Sequence, residues 1–432
     1  MSITIVNSNS ARIDNGVFKV DRKFHVGMQA YAKGIREPLV SIHREAVGEE
    51  EMDLIEVPVS DLPYRVVTMK VDPARRPFPA EIPRLRDEIS RSKLMYGCGF
   101  GSAEIARSVG VPYILILEYD LKTQITVYTA DVKNIARRAV RTGRCVWQYR
   151  AGAVPDMRKA HSLHCNGYPI FDATRRYNPN SLLYLDSRMS RELIMSRDEL
   201  MARLATRTRR PLRMLFSGRY ERFKGTDDAV KVAVECLRRG LDMEMHFYGK
   251  GSLRGEMERI AAQAPPGRIH IHDAVPYTEL VSTSRSFDLF VCCHIQNDPS
   301  CTYLESFGAG LPIVGYGNRM WQRLREASGA GLVAPIGRPE KVADDVQRLC
   351  ADLDTLGAMS EKALTFAQAH CYESEFAKRI DALNEATSQQ GHSTFNKNRW
   401  PLNRARASAA ISSIIRKRRF ITKKSAPQTG PS

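Results

Sequence analysis

A chain of 432 residues is too long for one ordinary hydrophobic core and implies two domains of roughly 150 to 200 residues plus extensions. No run of about 18 apolar residues offers a membrane span, and the N-terminus, MSITIVNSNS, lacks the charged-then-apolar pattern of a signal peptide, so a cytosolic protein is expected. The formal charge of +17 is uneven: after Glu385 there is no acid, and ten bases between Lys397 and Lys424 leave the body at +7, which marks a tail for an acidic partner such as anionic lipid or nucleic acid.

In chain order, the first half carries strand candidates at 3–6, 38–43, 64–71, 93–98, 111–120, 160–165 and 181–186. Helical stretches such as SAEIARSV and VKNIARRAVRTG stand between some of them. The polar stretch 191–210 reads as a connection. From Pro211 onward strand and helix periods alternate with short breaks, the pattern of a parallel sheet wrapped by helices. Strand candidates lie at 212–217, 243–249, 268–272, 288–295, 311–316 and 331–336. Between the first two, TDDAVKVAVECLRRG has acids in its first turn, arginines in its last and Gly240 as a stop, which predicts a helix. Pro339 starts another, and two more helical segments run to about Ala386. The nine cysteines are scattered and mostly sit in apolar segments, as reduced core residues do, and no disulfide framework is expected.

Candidate chemistry gathers in the second half. The strand ending at Ser217 is followed by GRYERFKG and then by a helix, whose first amides carry partial positive charge. Arg219 and Lys224 in that loop make an anion site suited to a diphosphate. The alternative is that both bases face solvent and pair with Asp227 and Asp228. YGKGS (248–252) at a second strand end brings another backbone toward the same crevice through Gly249 and Gly251. In NDPSCTYLESFGAGLPIV (297–314), Glu305 is an acid on a short, otherwise apolar helix. Burying it unpaired costs several kcal/mol, so it needs a partner, either an arginine or amide of the protein or a hydroxyl of a ligand.

The ordered set SGRxxxxKG, YGKG, and a strand followed by the Glu305 helix and GLPIV resembles the nucleotide-binding half of family 4 glycosyltransferases, over roughly residues 213–386. The resemblance implies an α/β protein of the GT-B fold, two Rossmann-like domains facing a central cleft, with C-terminal helices and a basic tail. The boundaries expected are 1–190 for an acceptor domain, 191–210 for a linker, 211–371 for a donor-nucleotide domain, 372–390 for a terminal helix crossing back, and 391–432 for the tail. It implies a retaining, metal-free transfer of a sugar from a nucleoside diphosphate sugar to a glycan or lipid-linked acceptor, in surface polysaccharide or glycolipid synthesis, with no cofactor.

Carried over by position, Arg219 and Lys224 hold the diphosphate, with Gly218, Gly225, Gly249 and Gly251 shaping the loops. Ser300, Cys301 and Thr302 open the helix that faces the phosphates, and Glu305 accepts from the ribose hydroxyls, a bidentate match to a cis-diol. The family's first acid falls at Asn297, which carries no charge, and Asp298 next to it is the candidate to replace the lost carboxylate. On the acceptor side the resemblance points to Gly99 and Gly101, to Glu118 where the family commonly has a histidine, and to Asp120 and Asp186.

Other clusters read as packing. His161, His164 and Cys165 lie on opposite faces of a strand, and Cys292, Cys293, His294 and Cys301 lack a second pair for zinc. In the tail, Ala407, Ala410, Ile411, Ile414 and Ile415 recur at helical spacing before RKRRF, so segment 403–424 reads either as an amphipathic element that brings the protein to the inner face of the plasma membrane or as a solvated disordered tail. Two competing functions remain: a non-catalytic nucleotide-sugar binder, because of Asn297, and a nucleic-acid binder through the tail. The latter is disfavoured because the core shows no recognised nucleic-acid module.

Overall fold

The computed structural model describes residues 1–45, 54–72, 76–129, 132 and 134–388. The expected basic tail, with its amphipathic patch at 403–424, lies outside the described residues. The remainder, residues 1–387, packs as one body around two sheets.

The first sheet contains β1 (Ser2–Asp14), β2 (Val17–Asp21), β3 (Leu39–Glu45), β4 (Leu54–Pro58), β5 (Arg65–Met69), β6 (Ser92–Gly97), β7 (Tyr113–Leu117), β8 (Ser162–Asn166) and β9 (Ser181–Tyr184). Its parallel strands run β5-β3-β1-β6-β7-β8-β9. The second sheet contains β10 (Leu212–Ser217), β11 (Met243–Tyr248), β12 (Ile269–His272), β13 (Leu289–Cys292), β14 (Ile313–Tyr316) and β15 (Gly331–Ala334), in the order β12-β11-β10-β13-β14-β15. Both orders reverse direction beside the first strand, and the loops at such a switch point leave a crevice for a ligand.

The second sheet forms where its apolar runs predict. Alternate residues of β10 serve opposite layers: Met214 and Phe216 face the core beneath the Thr226–Arg238 and Pro339–Ala351 helices, while Leu215 faces that of the Thr302–Gly308 and Arg319–Ser328 helices. A sheet covered on both sides needs apolar residues at successive positions, and β13 (LFVC) and β14 (IVGY) read as unbroken runs, whereas Arg213, Glu244, His246 and His270 interrupt β10, β11 and β12.

The first sheet differs from expectation at its start. β1 continues beyond Val6 through the polar run Asn7–Asp14, which pairs with β2 in an antiparallel hairpin extended by β4. A register shift between Val6 and Ser10 separates the buried parallel part from this hairpin. The stretch 191–210 is also more than a connection, since it contains a helix, Arg197–Ala205, entered by a capping box of Ser196 and Glu199. Arg203 on this helix is buried and donates to the carbonyls of Ala309 (2.8 Å) and Gly310 (2.6 Å), holding the end of the Glu305 helix.

The last described helix, Tyr372–Ser388, lies against the first half of the chain. Tyr372 donates to Val26 O at 2.9 Å, Phe376 packs on Tyr31, and Asn384 bonds the carbonyl of Gly34. Glu375, fully buried, accepts from Leu185 N at 2.9 Å and pairs with His370 and Lys378. Burial works to raise its pKa, but His370, Lys378 and the Leu185 amide together hold it below the ordinary glutamate value. A depressed carboxylate stabilises the fold above its unfolded-state pKa near 4.5 and loses that contribution as pH falls further. Glu375→Gln is therefore expected to cost about 3 kcal/mol at neutral pH, and thermal melts should show the gap from wild type closing as pH is lowered below 4.5.

Candidate active site

At the switch point of the second sheet, the loop after β10 meets the loop after β13. Gly225 starts the Thr226–Arg238 helix at φ +59°, and a Cβ there would stand 1.9 Å from the Cys293 carbonyl, so the two loops touch backbone to backbone. The turn after β11 closes on the same place: a Cβ on Gly249 would meet Gly218 O at 1.9 Å, and one on Gly251 would meet Tyr220 O at 2.4 Å. Glu221 then accepts from both the amide and the hydroxyl of Ser252. The glycines at 225, 249 and 251 thus permit three strand ends to converge, with Gly218 offering the carbonyl that Gly249 approaches.

Lys224 is buried at 6% exposure, and its Nζ lies 3.3 Å from Asp298 Oδ2. The other Asp298 oxygen, Oδ1, is buried without a hydrogen-bond partner. Arg219 is exposed and lies over the Phe223 ring at 4.9 Å. Neither base pairs with the helix aspartates: Asp227 is taken by Arg222 and Lys231, and Asp228 by Lys231 and the Tyr316 hydroxyl. Lys224 is thus paired with Asp298, and Arg219 is left without a carboxylate partner among the described residues.

Asn297 is turned to another task. Its Oδ1 accepts from Arg319 N at 2.8 Å and so caps the Arg319–Ser328 helix beside Asn318, which accepts from Trp321 N at 2.9 Å. Ser300 donates to the Thr302 hydroxyl, with Cys301 and Thr302 opening the Thr302–Gly308 helix. One turn on, Glu305 is half-buried and has no hydrogen-bond or ion-pair partner among the described residues. Burial raises its pKa above the ordinary glutamate value, with Arg188 and Lys23 offsetting part of the rise.

Facing these loops is a cleft of about 960 Å³ lined by residues that include Lys23, Glu118, Tyr119, Asp186, Arg188 and Tyr277. Lys23, from the helix Arg22–Gly34, pairs with Asp186 and reaches the Cys301 sulfur at 3.4 Å, which ties the first half to the start of the Glu305 helix. Burial opposes the Lys23 charge, but Asp186 and Cys301 more than offset it and the ammonium is held. Asp186 is likewise opposed by burial, yet Lys23 and Arg379 bring it below the ordinary aspartate value. Glu118 opens to the cleft, and the protein around it displaces enough water to raise its pKa; Asp186 adds to the rise, while Lys23 and a bond from Asn166 hold part of it back. Arg188 stacks on Tyr277 at 3.9 Å. Lys23, Arg188 and Tyr277 are absent from the sequence-based set, because nothing in their local pattern shows that the fold brings them to one wall.

Two acceptor-side assignments need correction. Asp120 is buried and spent: Oδ1 accepts from Thr123 N and Oγ1 at 2.8 and 2.7 Å, capping the helix Leu121–Thr129, and Oδ2 pairs with Arg319. A carboxylate at a strand end has here become a helix cap and a bridge between the halves. Gly99 and Gly101 shape the turn after β6, with Gly101 at φ +70° leading the Ser102–Ser108 helix, but the cleft is lined by Cys98. Among the described residues, one set (Glu244, His246 and His270) brings three possible metal ligands within 4.8 Å of one another, and none of the three lines the cleft.

Three comparisons place this geometry among known proteins. Residues 211–352 match the family described as glycosyl transferases group 1. The chain is 26% identical to the alpha-D-kanosaminyltransferase of Streptomyces kanamyceticus over 65% of its own length and 73% of that protein. It is 26% identical to the D-inositol 3-phosphate glycosyltransferase of Paenarthrobacter aurescens (strain TC1) over 40% of its length and 44% of that relative. In fold it is similar to Anabaena HepE, solved in complex with UDP and glucose, at a TM-score of 0.60 and 12% identity, covering 91% of this chain and all of that one.

Since a carboxylate with a raised pKa accepts from two hydroxyls only when ionised, affinity for a nucleoside diphosphate is expected to fall as pH is lowered through a midpoint above 4.5. Glu305→Gln should cost about tenfold or more in affinity at neutral pH and flatten that profile in calorimetric titrations. A group 1 domain at residues 211–352, the shared fold and the named relatives together identify this chain as a glycosyltransferase of the GT-B fold.

Proposed function

We propose that the protein is a retaining transferase that moves a sugar from a nucleoside diphosphate sugar to a glycan or lipid-linked acceptor in surface polysaccharide or glycolipid synthesis. The observation that carries this reading is Glu305, a half-buried carboxylate left without a protein partner, on the helix that follows the loop in which Asp298 pairs with Lys224, with the exposed Arg219 guanidinium on the facing loop. Its partner is then the ribose diol of the donor, with the diphosphate lying toward Arg219 and Lys224. Uridine diphosphate is the first nucleotide to try, since HepE was solved with it.

In this reading the diphosphate leaves as Arg219 and Lys224 take up its developing charge, an electrostatic contribution that often dominates catalysis. The acceptor hydroxyl arrives on the same face, from the side of the cleft that bears Glu118 and Asp186. Asp298 supplies the negative charge that Asn297 lacks: its free, buried Oδ1 stands beside the phosphate-binding lysine and is a ready acceptor for a sugar hydroxyl. Asn297 is kept for capping. The binding-only alternative is favoured by the same Asn297 bond, which commits the side chain at the family's first-acid position to capping a helix.

A screen of nucleoside diphosphate sugars by thermal shift, followed by product analysis, separates the two. Asp298→Asn is expected to lower kcat by about 10²-fold or more while nucleotide affinity stays within about tenfold. NMR of the product should show the donor's anomeric configuration kept. Tight nucleotide binding with no turnover of any donor, in the native chain and in Asn297→Glu alike, would leave the binding reading standing.

A further inference from the structure

The helix Ile135–Gln148 has its apolar face turned to solvent. At about 100° per residue, Ile135, Val146, Ala139, Gly143, Ala136, Trp147 and Val140 fall on one arc, and Arg144, Arg137, Arg141 and Arg138 on the opposite one. A surface helix normally buries such an arc against the body. Here Ile135 is 85% exposed, Val140 72% and Trp147 68%, and Ala136, Ala139 and Gly143 are exposed as well. The helix is held instead by Cys145, buried on the arginine side, with Thr142 and Val146 half-buried. Its neighbour, the helix Leu121–Thr129, adds exposed Val127 and Tyr128, and Arg141 donates to Tyr128 O at 3.3 Å. Tyr128 and Gln124 of that neighbour also line the cleft.

Charge selects what covers this face. Between Asp131 and Asp156 the sequence has six bases and no acid. The chain's own tail after Glu385 has the same sign and no acid, and a second copy carries the same net charge of +17, so both are repelled. An anionic bilayer satisfies both arcs at once: apolar side chains enter the acyl boundary, arginines reach sideways to headgroup phosphates on long stems, and Trp147 sits where an amphipathic ring is favoured.

We infer that the helix Ile135–Gln148 is a membrane-docking element that lays its Ile135, Val140 and Trp147 face into an anionic lipid surface and brings the mouth of the cleft to the bilayer. The docking surface stands apart from the transferase chemistry. Only its consequence, that the acceptor is lipid-borne, rests on the function proposed above. No helix among the described residues is long and apolar enough to cross a membrane, so this attachment is peripheral to any bilayer these helices meet.

The test uses the full chain and its Ile135→Glu/Val140→Glu/Trp147→Glu variant, all three sites being too exposed to disturb the core. Wild type should float with equimolar phosphatidylglycerol/phosphatidylcholine vesicles and not with phosphatidylcholine alone, and the variant should lose about tenfold or more of that partition at an unchanged melting temperature. In a Trp400→Phe background, which leaves Trp147 and the fully buried Trp321, the emission should shift to the blue on adding the anionic vesicles, and Trp147→Phe should abolish the shift. Equal flotation of variant and wild type would overturn the inference and leave the tail as the anchor. So would a wild type that ignores anionic vesicles, or a lipid-independent self-association or DNA binding that the three substitutions abolish. Thermal shift by uridine diphosphate, run on both proteins, keeps the failures apart: flotation without nucleotide binding sinks only the transferase reading, and nucleotide binding without flotation sinks only the docking helix.

Discussion

The proposed donor side depends on one buried cation. Lys224 stands at the start of the Thr226–Arg238 helix, where the first-turn amides already carry partial positive charge, and it is nearly excluded from water. A lone ammonium there would cost several kcal/mol. Asp298 is the carboxylate within reach, so the 297–300 loop must fold over the switch point to bring it there. That requirement fixes much else: Asn297 is carried to the Arg319 amide, and Pro299 comes up against Gly167 of the first half, where a Cβ would stand 2.9 Å from the proline. The loop is pinned between the two sheets, and the Glu305 helix starts from a fixed point. A diphosphate entering this crevice would meet Lys224 already oriented, with little reorganisation left to do.

The two halves meet through charge as much as through packing. Arg319 reaches Asp120, Arg323 reaches Asp172 at 2.8 Å, and Lys23 bridges Asp186 to Cys301, while the Tyr372–Ser388 helix lies across the first half with Arg379 stacked on Tyr184 and Phe376. Several of these contacts border the cleft. Residues proposed to hold substrate and residues that set the distance between the halves are therefore neighbours, and Asp120, a strand-end carboxylate spent on a helix cap and on Arg319, is of the second kind.

What the sequence reveals follows from how local each feature is. The central strands β13 and β14 are buried on both faces and appear as unbroken apolar runs, and the glycines at 225, 249 and 251 stand in loops at strand ends where only a bare backbone fits. The hairpin built by the end of β1 with β2 and β4 is hidden because Asn7–Asp14 is polar and loses the apolar pattern at the register shift. The Arg197–Ala205 helix had a readable signal in Ser196 and Glu199, obscured by the charged composition around it. Lys23, Arg188 and Tyr277 are out of reach of any local pattern, since their meeting near Glu305 is a product of tertiary structure. Asn297 lies between these cases: its departure from the family pattern is plain in the sequence, and its bond to the Arg319 amide, the physical reason an amide serves there, is visible only in the fold.

The central claim is that one crevice, walled by Lys224, Arg219, Asp298 and Glu305, holds the donor nucleotide. A crystal structure of the full chain with uridine diphosphate tests it most directly. The account predicts the ribose diol on the Glu305 carboxylate and the diphosphate between Arg219 and Lys224, with Asp298 facing the space beyond the second phosphate. A nucleotide bound elsewhere, or one bound here while Glu305 pairs with Arg188 and leaves the ribose untouched, would contradict it.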